Sequence, residues 1–185
     1  NPSCNAKNLN LNGEPVTELI IPEDVTEIME YAFYGYSELT SVTIPGSVKS
    51  IAYESFYGCS NLTNIEIPAS VTTIGKRAFK GTAWYNNQPD GLLYLNGWLL
   101  GCKGNNPTGS ITIAEGTKGI ANGVFAHCYN LTSIEIPSSV SSIGDFAFSG
   151  CRGLKSIKIP NSVTSFGDYA FYGCYGLTNI EIPNS

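Results

Sequence analysis

LTSIEIPSSVSSIGDFAFSGCRG, residues 131–153, decides the fold, because most of the remaining chain repeats it. Prolines give the ruler. Pro22, Pro45 and Pro68 fall at a constant interval, as do Pro137, Pro160 and Pro183, and three such intervals separate Pro68 from Pro137. Phe33, Phe56, Phe79, Phe125, Phe148 and Phe171 keep the same beat. Such a period marks a solenoid, in which each unit buries its apolar face only against its neighbours. The expected fold is α/β in class but β-rich: a horseshoe or rod of 23-residue units, forming one domain over residues 1–185.

Working outward from the quoted stretch, Val16, Leu39, Leu62, Leu131, Leu154 and Leu177 fill one column of the repeat. Leu19, Val42, Ile65, Ile111, Ile134, Ile157 and Ile180 fill the next, and Ile21, Ile44, Ile67, Ile113, Ile136, Ile159 and Ile182 follow two residues later. This alternation of inward apolar and outward polar residues predicts a strand, ended by the proline. A second apolar pair follows, as in Val48 with Ile51 or Val140 with Ile143. Residues 144–150 then predict about one helical turn, with Ala147 and Phe148 inward and a glycine at the stop.

The register divides the chain. Residues 1–15 match poorly and read as an atypical first unit, a cap; 16–81 are repeats; 82–110 are an irregular island; 111–185 are repeats again, the last one cut short. Within the island, Asn96-Gly97 sits between two apolar runs, which predicts a hairpin over residues 92–100. The island spans about one repeat and is expected to replace the convex half of a rung. The chain opens on Asn1 rather than Met. An upstream segment, a signal peptide being one candidate, is therefore expected before it.

Composition excludes several functions. A net charge of −5 and a pI near 4.8 argue against nucleic acid, which needs a basic stripe. No apolar run approaches the length of a spanning helix, so direct membrane insertion is not expected.

The pattern L-T-S-I-x-I-P-x-S-V-x-x-I-G-x-x-A-F-x-G-C, nearly complete at 131–151 and 154–174, resembles the BspA-like, or Treponema pallidum-type, leucine-rich repeats of bacterial surface proteins. The resemblance covers roughly residues 16–185. It implies a leucine-rich-repeat solenoid on the cell surface or secreted, binding an extracellular protein partner such as a host matrix protein. The departures are Tyr36 and Thr82 in the Cys column, Ser55 and Val124 in the Ala column, and Ala114 in place of Pro.

Chemistry is scarce. Cys59, Cys128, Cys151 and Cys174 share one repeat column, where neighbouring side chains run parallel, and a small buried hydrophobe is the expected role. Cys4 and Cys102 stand outside it. The sole histidine, His127, occupies a position that is usually Gly, and no base stands in reach of a nucleophile, so no catalytic residue is assigned. The cysteine spacing is that of the repeat and not that of a metal site, so no metal or other cofactor is expected. The glycines of residues 101–109 and 116–123 match no phosphate loop.

What remains is surface. The outward strand positions include Ser133 with Glu135, Ser156 with Lys158, and Asn179 with Glu181. These six are the candidate partner-binding residues, on the expected concave face. The rival site is the island's Trp84, Tyr85 and Trp98, although cover for a rung that lacks its Phe is the preferred reading of those aromatics. Two functions compete: a non-catalytic binding or adhesion module, and a spacer that displays something attached beyond the ends.

Overall fold

The computed structural model describes residues 9–181 and contains two compact units, Asn1–Pro89 and Asp90–Ser185. The first unit opens on a hairpin. Asn12 and Gly13 both take positive φ (54° and 89°) and fold Asn10–Leu11 (β1) antiparallel to Glu14–Pro15 (β2). Three coils follow, and each adds one strand to each of two parallel ladders. The first ladder holds Glu18–Ile20 (β3), the second Glu27–Ile28 (β4). The next coils contribute Ser41–Thr43 (β5) with Ser50–Ile51 (β6), and Asn64–Ile65 (β7) with Thr73–Ile74 (β8).

The predicted register is the observed one. Leu19 pairs with Val42 and Val42 with Ile65 in the first ladder. Ile28, Ile51 and Ile74 align in the second. That second ladder is not foreseen by the alternation rule, because two residues per strand are too few to show a period. The unit closes on one helical turn, Ala83–Asn87 (α1).

The second unit begins with the predicted hairpin, longer than expected: Gly91–Leu95 (β9) and Trp98–Lys103 (β10) pair around Asn96 and Gly97, at φ 48° and 82°. Positive φ at both positions is what a type I′ turn requires. The first ladder then runs Gly109–Thr112 (β11), Leu131–Glu135 (β13), Ser156–Lys158 (β15) and Asn179–Glu181 (β17). The second runs Gly119–Ile120 (β12), Ser142–Ile143 (β14) and Ser165–Phe166 (β16). The island does not replace the convex half of a rung. Its strand β10 joins the second ladder, with Trp98 opposite Gly119 and Leu99 opposite Ile120.

The third side of each coil corrects another expectation. Residues 144–150 form consecutive turns and no helix. Phe146 and Gly150 sit in the left-handed region, at φ 53° and 73°, which an α-helix does not admit. The backbone N–H groups that a helix would use internally go to the next coil instead: Phe146 N to Asp168 O (2.9 Å), Phe148 N to Ala170 O (2.9 Å), Gly150 N to Tyr172 O (2.7 Å). His127, at φ 65°, holds the conformation that Gly supplies in the other coils.

The core lies between these three sides. Leu39, Leu62, Leu131 and Leu154 are fully buried, as are Phe56, Phe125 and Phe148. Each such side chain contributes roughly 1.5–3 kcal/mol before the ordering entropy is set against it. The phenylalanines stack coil on coil with ring centroids 5.1 and 5.4 Å apart from Phe33 through Phe56 to Phe79. From Phe125 through Phe148 to Phe171 the distances are 5.4 and 5.3 Å. The serine of the P-x-S-V segment has its own task. Ser47, Ser70 and Ser162 each donate to the Val carbonyl of the preceding coil, at 2.8, 2.8 and 2.6 Å.

Candidate binding surfaces

Strand alternation in β13, β15 and β17 turns Ile134 and Ile157 inward and leaves their neighbours outside. The structure therefore brings all six candidate residues together on one exposed sheet face. Ser133, Ser156 and Asn179 are aligned in one row. In the other, Glu135 is flanked by Thr112 of β11, whose hydroxyl donates to it at 3.1 Å. Lys158 faces Glu181, with Nζ and Oε2 3.9 Å apart. That pair is well exposed, and an exposed ion pair at this distance adds little stability. Its side chains are available to a partner at small cost.

The rival aromatics differ in burial. Trp84 and Tyr85 are half-buried on α1 in the first unit. Trp98 is only 5% exposed in the second, and a Cβ on Gly119 would strike its ring. The second ladder draws Trp98 into the core because β10 continues that ladder.

Burial disfavours the thiolate at every described cysteine. Cys59, Cys151 and Cys174 each donate Sγ–H to the Phe carbonyl of an earlier coil (Phe33, Phe125 and Phe148) at 3.1, 3.1 and 3.0 Å. Burial pushes Cys59 and Cys151 up to about 12 and Cys128 up to about 11, and it raises Cys174 as well. Cys102 lies in β10, its Sγ 3.9 Å from the Val124 carbonyl, and burial raises it to about 12. Cys59, Cys128, Cys151 and Cys174 are free thiols, and burial keeps all five described cysteines protonated at neutral pH. Cys4 lies outside the described residues. Among the described residues no group of three His, Cys, Asp or Glu side chains is arranged to hold a metal ion.

Charge gathers around Glu54 and Arg77, which pair at 3.3 Å on adjacent coils of the first unit. A hydrogen bond to Glu54 raises the neighbouring Tyr53 phenol, and desolvation lowers Lys76. Both members of the pair take positive φ, at 50° and 60°, in equivalent places on successive coils, so stacking alone brings them together.

One constellation was not singled out by sequence reasoning. Tyr129, Arg152 and Tyr175 occupy a single column, one repeat apart, on three successive coils. The Arg152 guanidinium lies 5.3 Å from the Tyr129 ring centroid and 5.8 Å from that of Tyr175. The signal was legible in the spacing, but the column holds Ser37, Ser60 and Ala83 elsewhere and so looked like loop.

The repeat pattern described as the BspA type leucine-rich repeat region matches residues 8–88 and 104–185, in six copies. The chain belongs to this family. The unmatched stretch, 89–103, holds the whole hairpin of β9 and β10. Solved structures resemble the chain as well. A leucine-rich repeat protein from Bacteroides ovatus is 38% identical over 92% of this chain and 38% of its own, with a TM-score of 0.41. A leucine-rich cell surface protein from Faecalibacterium prausnitzii is 35% identical over 91% of this chain and 39% of its own, with a TM-score of 0.40. The leucine-rich repeat protein of T. pallidum is 26% identical over 90% of this chain and 74% of its own, with a TM-score of 0.40. The chain thus spans less than two-fifths of the first two. No curated protein matches it.

Proposed function

We propose that this BspA-type chain is a non-catalytic binding module, held at the cell surface or secreted, that engages an extracellular protein partner through the first-ladder face of its second unit. One observation carries the reading: Thr112, Glu135, Lys158 and Glu181 stand in a single exposed row across four hydrogen-bonded strands, and no two strand neighbours in it are alike. A ladder that served only to hold coils together would gain no more than roughly 0.2–1 kcal/mol per pair from alternating charge there, and less where the pair is exposed. At about 4.8 Å per strand the row is roughly 14 Å long, and several such rows are needed for the ~800 Å² per partner of a standard interface. The row of Ser133, Ser156 and Asn179 lies beside it and extends it.

The likeness of its repeats to those of a leucine-rich cell surface protein supports the location. A matrix protein of a host is the partner class to try first. The test captures partners from extracellular matrix extract with the wild-type chain and with the triple variant Glu135→Lys, Lys158→Glu, Glu181→Lys. Binding should fall at least about tenfold for two or more lost charged contacts, at an unchanged melting temperature. Capture that survives the triple variant unchanged would refute the strand-face site. A chain that captures nothing leaves the spacer role as the better account.

A further inference from the structure

The coils do not need the stack of Tyr129, Arg152 and Tyr175 to hold together. The equivalent positions in the first unit, Ser37, Ser60 and Ala83, do without large side chains. Tyr129 is 50% and Tyr175 80% exposed, and Arg152 is exposed between them. Two rungs separate the tyrosines, about 10 Å at the usual strand spacing, which is the room a guanidinium needs to lie between two rings. The backbone is built for this spacing. A Cβ on Gly153 would come within 2.6 Å of the Tyr129 carbonyl oxygen, and one on Gly176 would collide with the carbonyl of Arg152. A side chain at either position would push against the backbone that carries Tyr129 and Arg152.

The guanidinium is thus held by cation–π contact on two sides while its N–H groups make no ion pair or hydrogen bond with the described residues. A fixed planar fork with unspent donors suits a carboxylate, and prior fixing lowers the entropy lost on binding. The surroundings favour an anion. Residues 126–134, 149–157 and 172–180, which flank the stack on its three coils, contain no Asp or Glu, whereas His127, Arg152 and Lys155 are basic. His127 lies against Tyr129 with ring centroids 5.8 Å apart.

We propose that Tyr129, Arg152 and Tyr175 form a docking point for an acidic segment of a protein partner, one carboxylate of which takes the edge of the Arg152 guanidinium between the two rings. This site is separate from the strand face and does not need that face to bind anything. The probe is a fluorescein-labelled peptide of alternating Glu and Ser, with the Gln-Ser peptide as its uncharged control, read by fluorescence anisotropy at low salt. The Glu peptide should bind about tenfold or more tightly than the Gln peptide, the loss expected for a charged hydrogen-bonding partner. Arg152→Lys keeps the charge and loses the fork, and should weaken Glu-peptide binding by about tenfold, with Tyr129→Ala and Tyr175→Ala each losing several-fold. Lys49→Ala, which removes a positive charge from the first unit, should change nothing. Equal binding of the two peptides, or wild-type affinity in Arg152→Lys, overturns the proposal. So does a site that 3′-sialyllactose saturates while the peptide stays free, since that would make it a glycan site. The strand-face triple variant separates the two proposals: it should leave peptide affinity intact, and if it alone abolishes binding, the peptide sits on the strands and the docking point is wrong.

Discussion

Ser55→Ala should make the protein more stable. Ser55 is fully buried, in a column that the other coils fill with Ala32, Ala78, Ala147 and Ala170. Its backbone is satisfied, since its carbonyl accepts from Phe33 N at 2.7 Å and its own N–H lies 3.4 Å from Ala52 O. Its hydroxyl has no hydrogen-bond partner among the described residues. Leaving a buried hydroxyl unpaired costs roughly 1–3 kcal/mol. Removing it also leaves a gap smaller than a methyl group, which takes back under about 1 kcal/mol. The balance is a gain of about 1–2 kcal/mol, or a rise of roughly 2–8 °C in Tm for a chain of this size. Urea denaturation of wild type and variant, followed by far-UV circular dichroism, measures it, and the slope of the transition should stay constant. A neutral or destabilising outcome would mean that the hydroxyl is paired. The stacking geometry around the Ala column would then be wrong by the width of a hydrogen bond.

Phe148→Ala is the opposite case. Phe148 has no exposure and stacks on Phe125 and Phe171, so its loss should cost ~3–5 kcal/mol in the same assay; a loss below ~1 kcal/mol would place the column outside the core. The buried thiols should ignore a thiol reagent such as DTNB until the protein is denatured, when they react together; prompt labelling of the native protein would contradict their burial. Their pKa values are raised by burial from the ordinary 9.0 towards about 12 for Cys59, Cys102 and Cys151 and about 11 for Cys128. The folded chain therefore binds more protons than the unfolded one in alkali, so the thiols' contribution is complete below pH 9 and is lost as pH rises from 9 towards 12. Tm measured across that range should fall, and it should fall less steeply in Cys151→Ala than in wild type.

Much of this was readable because a solenoid writes its packing as columns. Ile134, Ile157 and Leu154 have apolar counterparts one repeat away, and the first ladder appears in the register that they dictate. Asn96-Gly97 announced its hairpin through turn chemistry alone. The misses have equally local causes. The left-handed conformation of Tyr31, Phe146 and Tyr169 leaves no mark in composition, because bulky residues seldom adopt it and nothing in their chemistry favours it. The short apolar segment they stand in therefore resembled a helical turn. Helix α1 spans five residues, too few to repeat a helical period, and only its cap was available to find it. On the outer surface the six strand residues share one face because alternation decides which way a strand residue faces. The Tyr-Arg-Tyr column lies in irregular backbone, where alternation gives no direction.

The departures from the repeat explain where the chain stops merely stacking. Tyr36, in the Cys column, is buried and carries its hydroxyl to within 2.8 Å of both the Leu9 and the Val16 carbonyls, tying the opening hairpin to the first coils. Thr82 replaces another cysteine, and its hydroxyl accepts from Tyr85 N at 3.1 Å, so the residue that should close a coil instead caps the one helix among the described residues. Ala114 stands where the other strands end in proline, and the N–H that proline would lack donates to the Tyr94 hydroxyl of β9 at 3.1 Å, fastening the hairpin. Each of these departures replaces a residue of the repeat by one that holds an irregular segment. The same logic applied outward separates two kinds of surface. A column that repeats a small polar residue serves the stack, as the serines donating to Val carbonyls do. A column that breaks into Tyr, Arg and Tyr meets its neighbouring coils only through ring faces, and the guanidinium N–H groups are left for something outside the chain.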